Sequence, residues 1–182
     1  DIIGNMASIY YHNNQYQKAV ELYKEALKID PEFLKVRYDL IKPLVLMEKW
    51  EEASKHADLL ISNSKGYINE DYFNIKGFIL LWNNHPEEAL SFFRKALSLA
   101  PNKSSILVNT GVALSLMGSH KNAQWFLHRA AQNTNSKDIM IYFSLIENSL
   151  RSDDLASVDI YTERLFASFD IKTIKAHLNN LS

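Results

Sequence analysis

The sequence predicts an all-α solenoid, a stack of helical hairpins. Alanine recurs at Ala19, Ala53, Ala89 and Ala123, at intervals of 34, 36 and 34 residues. Self-similarity at this period is typical of a solenoid in which each hairpin buries its apolar face only against its neighbours. The residues three before, four after and seven after each alanine recur with it: Tyr16, Trp50, Pro86 and His120; Tyr23, Ala57, Phe93 and Leu127; Ala26, Leu60, Ala96 and Ala130.

Length and composition agree with this fold and exclude several classes of function. The 182 residues suit about five such hairpins, and a hydrophobic fraction of 47% supplies their core. A formal net charge of −1 argues against nucleic acid as a partner, because that requires clustered Lys and Arg. Without cysteine there is no disulfide framework and no thiolate metal site. The compartment stays open between cytoplasmic, periplasmic and membrane-tethered locations.

No apolar run approaches the roughly 18 residues that span a bilayer, so we expect no membrane insertion of this segment. The chain begins inside a repeat at Asp1, which indicates a fragment of a longer protein.

The first two hairpins follow from apolar spacing and proline punctuation. A first helix is expected over 2–12, and its partner from Tyr16 carries apolar residues at three- and four-residue spacing. Pro31 closes this hairpin, because proline disfavours helical geometry in the residue before it. The second hairpin spans about 32–62, and Pro43 should bend its first helix.

The later hairpins are marked by turn residues. Two additional residues fall in the stretch 62–70, which reads as a surface loop. Pro86 suits the first position of a helix. Gly111 follows Gly77 by 34 residues and predicts a close approach of two helices, whereas Gly118 predicts a turn. The fifth hairpin is degenerate, and an amphipathic capping helix is expected over 171–181, with Ile171, Ile174, Leu178 and Leu181 as its apolar stripe.

These residues resemble the tetratricopeptide repeat (TPR), whose consensus has small residues at positions 8, 20 and 27, an aromatic at 24 and proline near 32. The fourth unit departs at Leu127 and Asn135, and the second keeps only Ala53 of its small residues, having Ile41 and Leu60. The first and third units match in full: Ala7, Ala19, Tyr23, Ala26 and Pro31; Gly77, Ala89, Phe93, Ala96 and Pro101.

The resemblance implies one right-handed superhelical domain over 1–182. Its units are predicted at about 1–33, 34–69, 70–103, 104–137 and 138–169, followed by the cap at 170–182.

In the family, the first helices of successive hairpins line a concave groove that holds a peptide or a partner's helix. Tyr38, Phe78, Trp82 and Tyr142 would supply apolar contacts, although burial of Phe78 and Trp82 is an equal alternative. An amide both donates and accepts, so Asn5 and Asn109 would hold a ligand's backbone. The resemblance places these residues in the groove: Asn5, Ser8, His12, Tyr38, Asp39, Lys42, Asn74, Phe78, Trp82, Val108, Asn109, Val112, Tyr142 and Ile146.

Other chemistry finds no support in the sequence. Members that clamp a chaperone's terminal carboxylate need basic groove residues, whereas Asp39 and Asp71 would repel it. The six histidines show no paired ligand spacing, and the carboxylate pairs at 51–52, 87–88 and 153–154 fall where the helix dipole favours them. No nucleophile elbow or phosphate loop occurs, so we expect no enzyme, cofactor or metal site. Trp50 is assigned to packing, and Trp125 to the core or the convex surface.

The sequence therefore favours a non-catalytic scaffold that binds a partner protein or peptide. Two alternatives stay open: an accessory domain of a larger, membrane-bound enzyme or assembly machine, and self-association through the same apolar surface.

Overall fold

The structure, a computed structural model, describes residues 2–64, 69–133 and 138–179. Within these ranges the chain forms eleven helices and no strand, which confirms the all-α class. The first helices of the hairpins are α1 (Ile2–His12), α3 (Leu34–Leu46), α5 (Glu70–Trp82), α7 (Ser104–Leu116) and α9 (Ile139–Arg151). The second helices are α2 (Tyr16–Ile29), α4 (Trp50–Ser62), α6 (Pro86–Leu99), α8 (His120–Asn133) and α10 (Leu155–Ser168), and α11 (Ile171–Asn179) follows.

The turn between the first and second helix of each hairpin holds one residue with a positive φ. These residues are Asn14, Glu48, Asn84, Gly118 and Asp153, with φ between 55° and 74°. Left-handed backbone ends a helix sharply, and Asn, Asp and Gly tolerate it best. The intervals are 34, 36, 34 and 35 residues, so the fifth hairpin follows the fourth by one residue more than the sequence period suggests.

The chain divides into two compact units, and the first comprises residues 1–85 with α1 to α5. Its core runs from Ala7 to Ile79, with Leu40 and Leu44 fully buried in between. Lys76 of α5 is buried and donates to Ser54 Oγ at 2.6 Å and Asp58 Oδ2 at 2.9 Å on α4. In this unit each later first helix therefore packs against the second helix that precedes it.

The second unit comprises residues 86–182 with α6 to α11. Leu107, Leu127 and Ile141 form its main core, and Ile174 of α11 joins a smaller cluster with Leu165. Of the stripe predicted for the cap, only Ile174 is buried, whereas Ile171 and Leu178 are exposed and Leu181 lies outside the described residues.

Several local predictions are confirmed. Helix α6 begins at Pro86, and Gly118 has a φ of 74° at its turn. A Cβ built at Gly111 would lie 2.7 Å from Leu127 Cγ, so two helices do approach closely there. Pro43 lies buried inside α3, and the bend stays a prediction. The central part of the predicted loop at 62–70, and Asn135, lie outside the described residues.

One face of α1 is apolar and uncovered. Ile2, Met6 and Ile9 are exposed, whereas Leu40, one period after Met6, is fully buried. This stripe is where the self-association hypothesis would apply, and light scattering over a concentration series tests it.

Two half-buried histidines, His56 and His128, have pKa values below the ordinary value. Arg37 Nη1 lies 3.1 Å from His56 Nδ1, and the guanidinium also donates to the Pro31 carbonyl. Because a guanidinium can only donate, His56 Nδ1 must accept. Burial lowers the pKa of His56, and the charge of Arg37 lowers it further. Burial likewise lowers the pKa of His128, assisted by the charge of Arg164.

We expect acidification to weaken the fold through these two groups. Their folded-state pKa values lie below the ordinary value of about 6.5, so the unfolded chain takes up protons first as pH falls. The free energy of unfolding is therefore fully retained above about pH 6.5 and declines below it. Urea unfolding at a series of pH values measures the decline, which His56→Gln with His128→Gln should reduce. A matched His85→Gln variant removes an exposed imidazole, and an equal reduction there would contradict the assignment.

Candidate partner-binding face

The predicted groove residues of the first unit lie on three helices. Helix α1 carries Asn5, Ser8 and His12, while α3 carries Tyr38 and Lys42. Asn74, Phe78 and Trp82 follow one another at four-residue spacing on α5, so they share one side of that helix. Burial then decides which of them a partner can reach.

Phe78 and Trp82 form an aromatic pair at the end of α5. Their ring centroids are 5.8 Å apart in a tilted arrangement. Phe78 packs against the core of the first unit, whereas Trp82 is 59% exposed. A solvent-exposed tryptophan whose ring packs against a second aromatic ring is typical of the residues that anchor a protein interface.

A second aromatic pair joins α3 to α5. The rings of Tyr38 and Tyr72 are 6.3 Å apart, and Lys42 Nζ lies 5.8 Å from the Tyr38 ring centroid, within cation–π range. Tyr72 was not among the predicted groove residues; its aromatic character on a first helix was the available signal. We refer to Tyr38, Tyr72, Phe78 and Trp82 as the aromatic face.

Polar groups lie beside this face, between α1, α2 and α3. The Tyr23 hydroxyl lies near the Ser8 side chain and the Asp39 carboxylate. Burial raises the pKa of Tyr23 to about 12, and the negative charge of Asp39 contributes. Tyr23 is therefore protonated at neutral pH, and Asp39 offers a carboxylate on the side of α3 that also carries Lys42.

The asparagines differ in accessibility. Asn5 is exposed and Asn109 is half-buried, whereas Asn74 is buried. The proposed hold of Asn5 and Asn109 on a ligand's backbone stays a prediction.

In the second unit, the register of the fifth hairpin decides whether Tyr142 faces the groove or the core. Tyr142 is only 5% exposed, and its hydroxyl lies 3.4 Å from Ser168 Oγ. With the 35-residue interval, Tyr142 corresponds to Leu107, a core position, and Phe143 corresponds to Val108. The prediction of Tyr142 as a groove residue used a 34-residue step, and the inserted residue turns Tyr142 inward.

Phe143 instead is half-buried, and its ring stacks on His177 of α11 at 4.9 Å. Val108 is buried, while Val112 and Ile146 are half-buried. The second unit therefore offers a smaller aromatic surface on its first helices than the first unit does.

Metal chemistry finds no site in the part of the chain that the structure describes. Across 2–64, 69–133 and 138–179, His, Asp and Glu side chains do not converge in groups of three or more. Among the same residues, no helix combines the length and apolarity needed to cross a bilayer.

Comparison with known proteins agrees with the repeat pattern. The family model of the tetratricopeptide repeat matches residues 1–33, and a second model of that repeat matches 71–103. The human protein O-mannosyl-transferase TMTC1 is 27% identical over 107 residues, which is 59% of this chain and 12% of that protein. The TPR repeat-containing protein MJ1428 of Methanocaldococcus jannaschii is 28% identical over 145 residues, which is 79% of this chain and 25% of that protein. The matches thus span a quarter or less of these relatives.

Solved structures share the fold. The thermophilic TPR protein TTC0263 of Thermus thermophilus aligns with a TM-score of 0.83 and 15% identity, covering 98% of this chain and 96% of that one. YrrB, described as a TPR protein with an unusual peptide-binding site, aligns with a TM-score of 0.64 and 17% identity, covering 98% and 90%. The repeats, the helical hairpins and these similarities define an α-solenoid. Residues 1–33 and 71–103 are tetratricopeptide repeats, which confirms the resemblance seen in the sequence.

Proposed function

We propose that this chain is a non-catalytic interaction module that binds a peptide or helix of a partner protein on its first helices. The aromatic face provides the apolar anchor. Lys42 and Asp39 on α3 provide charges beside it. YrrB, with its peptide-binding site, shows that this fold can serve such a role, although its low identity carries no specificity to this chain.

The observation that supports the proposal most is the exposure of Trp82 beside Phe78. A lone exposed apolar residue is ordinary on a protein surface, whereas tryptophan is enriched among the residues that dominate binding energy. The Trp82 ring contacts the Phe78 ring, which packs against the core, so the position of Trp82 is held before a partner arrives. Such preorganisation reduces the entropy lost on binding.

Phe78→Ala with Trp82→Ala should weaken partner capture by about 2 kcal/mol or more, roughly 30-fold in Kd. Because Trp82 is mostly solvent-exposed and Phe78 is half-buried, we expect the free energy of unfolding to change less than the free energy of binding. The partner is first captured from an extract of the source cells and identified. Its affinity for purified wild-type and variant chains is then measured by calorimetry.

A matched control removes two exposed apolar side chains from second helices of the same unit, with Ile29→Ala and Leu59→Ala. We expect this control to bind as the wild type does. Unchanged affinity of the aromatic-face variant, or equal loss in the control, would rule out binding at this face.

A second candidate is an accessory domain of a larger enzyme. It is motivated by the similarity to a small part of a human O-mannosyl-transferase. The sequence of the complete gene tests it, because a transferase domain or membrane spans beside the repeats would support it. Further repeats alone would favour the interaction module acting by itself.

A further inference from the structure

The second helices of the second unit carry a row of cations on their outer side. In register, Lys95 of α6, Arg129 of α8 and Arg164 of α10 each lie six residues after the alanine position, counted with the 35-residue step for α10. The first unit has Glu25 and Leu59 at this position. The row is thus specific to the second unit.

Apolar side chains lie one turn before two of these cations. Trp125 of α8 is 55% exposed and Ile160 of α10 is 47% exposed. Their equivalents in the first unit are the charged residues Glu21 and Lys55. The first three hairpins carry the polar residues Glu21, Lys55 and Ser91 at this position, so the fold does not require an exposed tryptophan there.

Trp125 and Arg129 are held in place by their neighbours. The Arg129 guanidinium lies 5.2 Å from the Trp125 ring, and its Nη2 donates to Asn102 Oδ1 at 2.6 Å. The Trp125 ring meets Phe126 edge-on at 4.8 Å. Lys121, Trp125 and Arg129 follow one another at four-residue spacing, and α8 contains no Asp or Glu. One helix thus presents a cation, an indole and a second cation on one side.

Helices α8 and α10 lie side by side, so their outer residues belong to one surface. The Tyr161 hydroxyl of α10 lies 2.8 Å from His128 Nε2 and accepts from Gln124 Nε2 at 3.0 Å. The acidic residues of α10, Asp159 and Glu163, correspond in register to Ser54 and Asp58, which point to the following helix and bind Lys76.

Helix α8 carries no carboxylate, and the register places Asp159 and Glu163 of α10 toward the following helix. Helix α6 begins with the exposed carboxylates Glu87 and Glu88, and Glu88 lies seven residues before Lys95, so the basic character of the surface is strongest on α8 and α10. We call Lys95, Trp125, Arg129, Ile160 and Arg164 the outer basic surface.

We propose that the outer basic surface binds an acidic segment of a partner protein that carries an apolar side chain. Guanidinium groups pair with carboxylates through two parallel hydrogen bonds, and the indole would receive the apolar residue. A peptide that crosses α6, α8 and α10 meets one cation on each helix. The formal net charge of the chain is −1, so the attraction of these cations for a negatively charged partner is local. An anionic membrane responds to the charge of a whole protein face, and a local cluster of cations therefore favours an acidic peptide over a membrane.

Fluorescence anisotropy with a labelled peptide of repeating Glu-Glu-Leu tests the proposal on the complete chain. We expect saturable binding that weakens as salt is added. Arg129→Gln with Arg164→Gln should weaken binding about tenfold or more, Trp125→Ala by a similar factor, and Arg129→Lys by less. Lys18→Gln with Lys28→Gln removes the same charge from α2 of the first unit and should leave binding unchanged.

Three results would overturn the proposal. The first is equal binding of a Lys-Lys-Leu peptide, and the second is equal affinity of the Arg129 and Arg164 variant. The third is binding to phosphatidylserine vesicles, lost in that variant, without binding of the acidic peptide. Circular dichroism confirms that each variant is folded before its affinity is compared. Failure of this test leaves the aromatic face untouched, because the two surfaces share no residue.

Discussion

Gly111→Val should lower the free energy of unfolding by about 3 kcal/mol. A Cβ at this position would meet Leu127 Cγ at 2.7 Å and Cδ2 at 2.8 Å, with the Ala123 carbonyl oxygen at 3.2 Å. Helix α7 and helix α8 must therefore separate, or Leu127 must leave its rotamer. Replacing glycine in a helix stabilises the helix by less than about 1 kcal/mol through its higher helix propensity, which is too little to offset the steric overlap. Chemical denaturation followed by circular dichroism measures the change.

Gly118→Asn is the matched control for that variant. Nothing lies within 4 Å of a Cβ at Gly118, and its φ of 74° is close to the value of 61° that Asn84 adopts in the corresponding turn. We expect a change within about 0.5 kcal/mol, since asparagine tolerates left-handed backbone. A larger loss at Gly118 than at Gly111 would show that backbone freedom, and not close packing, selects these glycines.

Ile41→Ala should destabilise the first unit by about 3 kcal/mol, and Ala57→Leu should destabilise it by about 2 kcal/mol. We expect the double variant to lose less stability than the sum of these two values. In the fourth hairpin a small residue on the first helix, Gly111, packs against a large one on the second, Leu127. The second hairpin reverses the sizes at the same register, with Ile41 and Ala57 both fully buried. The double variant restores the usual order.

Urea unfolding of the two single variants and the double variant forms a thermodynamic cycle. A coupling free energy of about 1 kcal/mol or more in the favourable direction is expected for residues that share one packed site. Strictly additive losses would mean that Ile41 and Ala57 do not compensate each other.

The exchange would account for Ile41, one of the two small-residue positions at which the second hairpin departs from the repeat consensus. The large residues Ile41 and Leu60 in that hairpin also predict altered helix spacing, which stays a prediction. Reversed sizes at this register would conserve the volume of the packed site, and a core is sensitive to total volume and less to which helix supplies it. Pairwise complementarity of this kind leaves no mark in a consensus that is read one position at a time.

The helices were predictable because each hairpin repeats the same apolar stripe and turn. The 35-residue interval before the fifth hairpin was not predictable from the sequence. Most signature residues of the fifth hairpin are replaced, so no alanine reveals that this interval is one residue longer than the period. Tyr142 shows the consequence, because a shift of one position rotates a helical residue by about 100° and exchanges the surface for the core.

The candidate site was predicted in part. Residue type and spacing placed Phe78 and Trp82 on one side of α5. Only the structure shows that Trp82 is exposed, because burial depends on neighbours that are distant in sequence. Tyr72 was missed, since its pairing with Tyr38 joins two helices. The outer basic surface also went unrecognised, because it appears only when three second helices are aligned with the corrected register.

The central claim is that a partner protein occupies the first helices of the first unit at the aromatic face. Photo-crosslinking tests it most directly, with p-benzoylphenylalanine placed at Trp82 or, as the control, at Lys55 on the outer side of α4. We predict that the probe at position 82 forms a covalent adduct with the captured partner, and that the probe at position 55 does not. An adduct from position 55 alone would contradict the account.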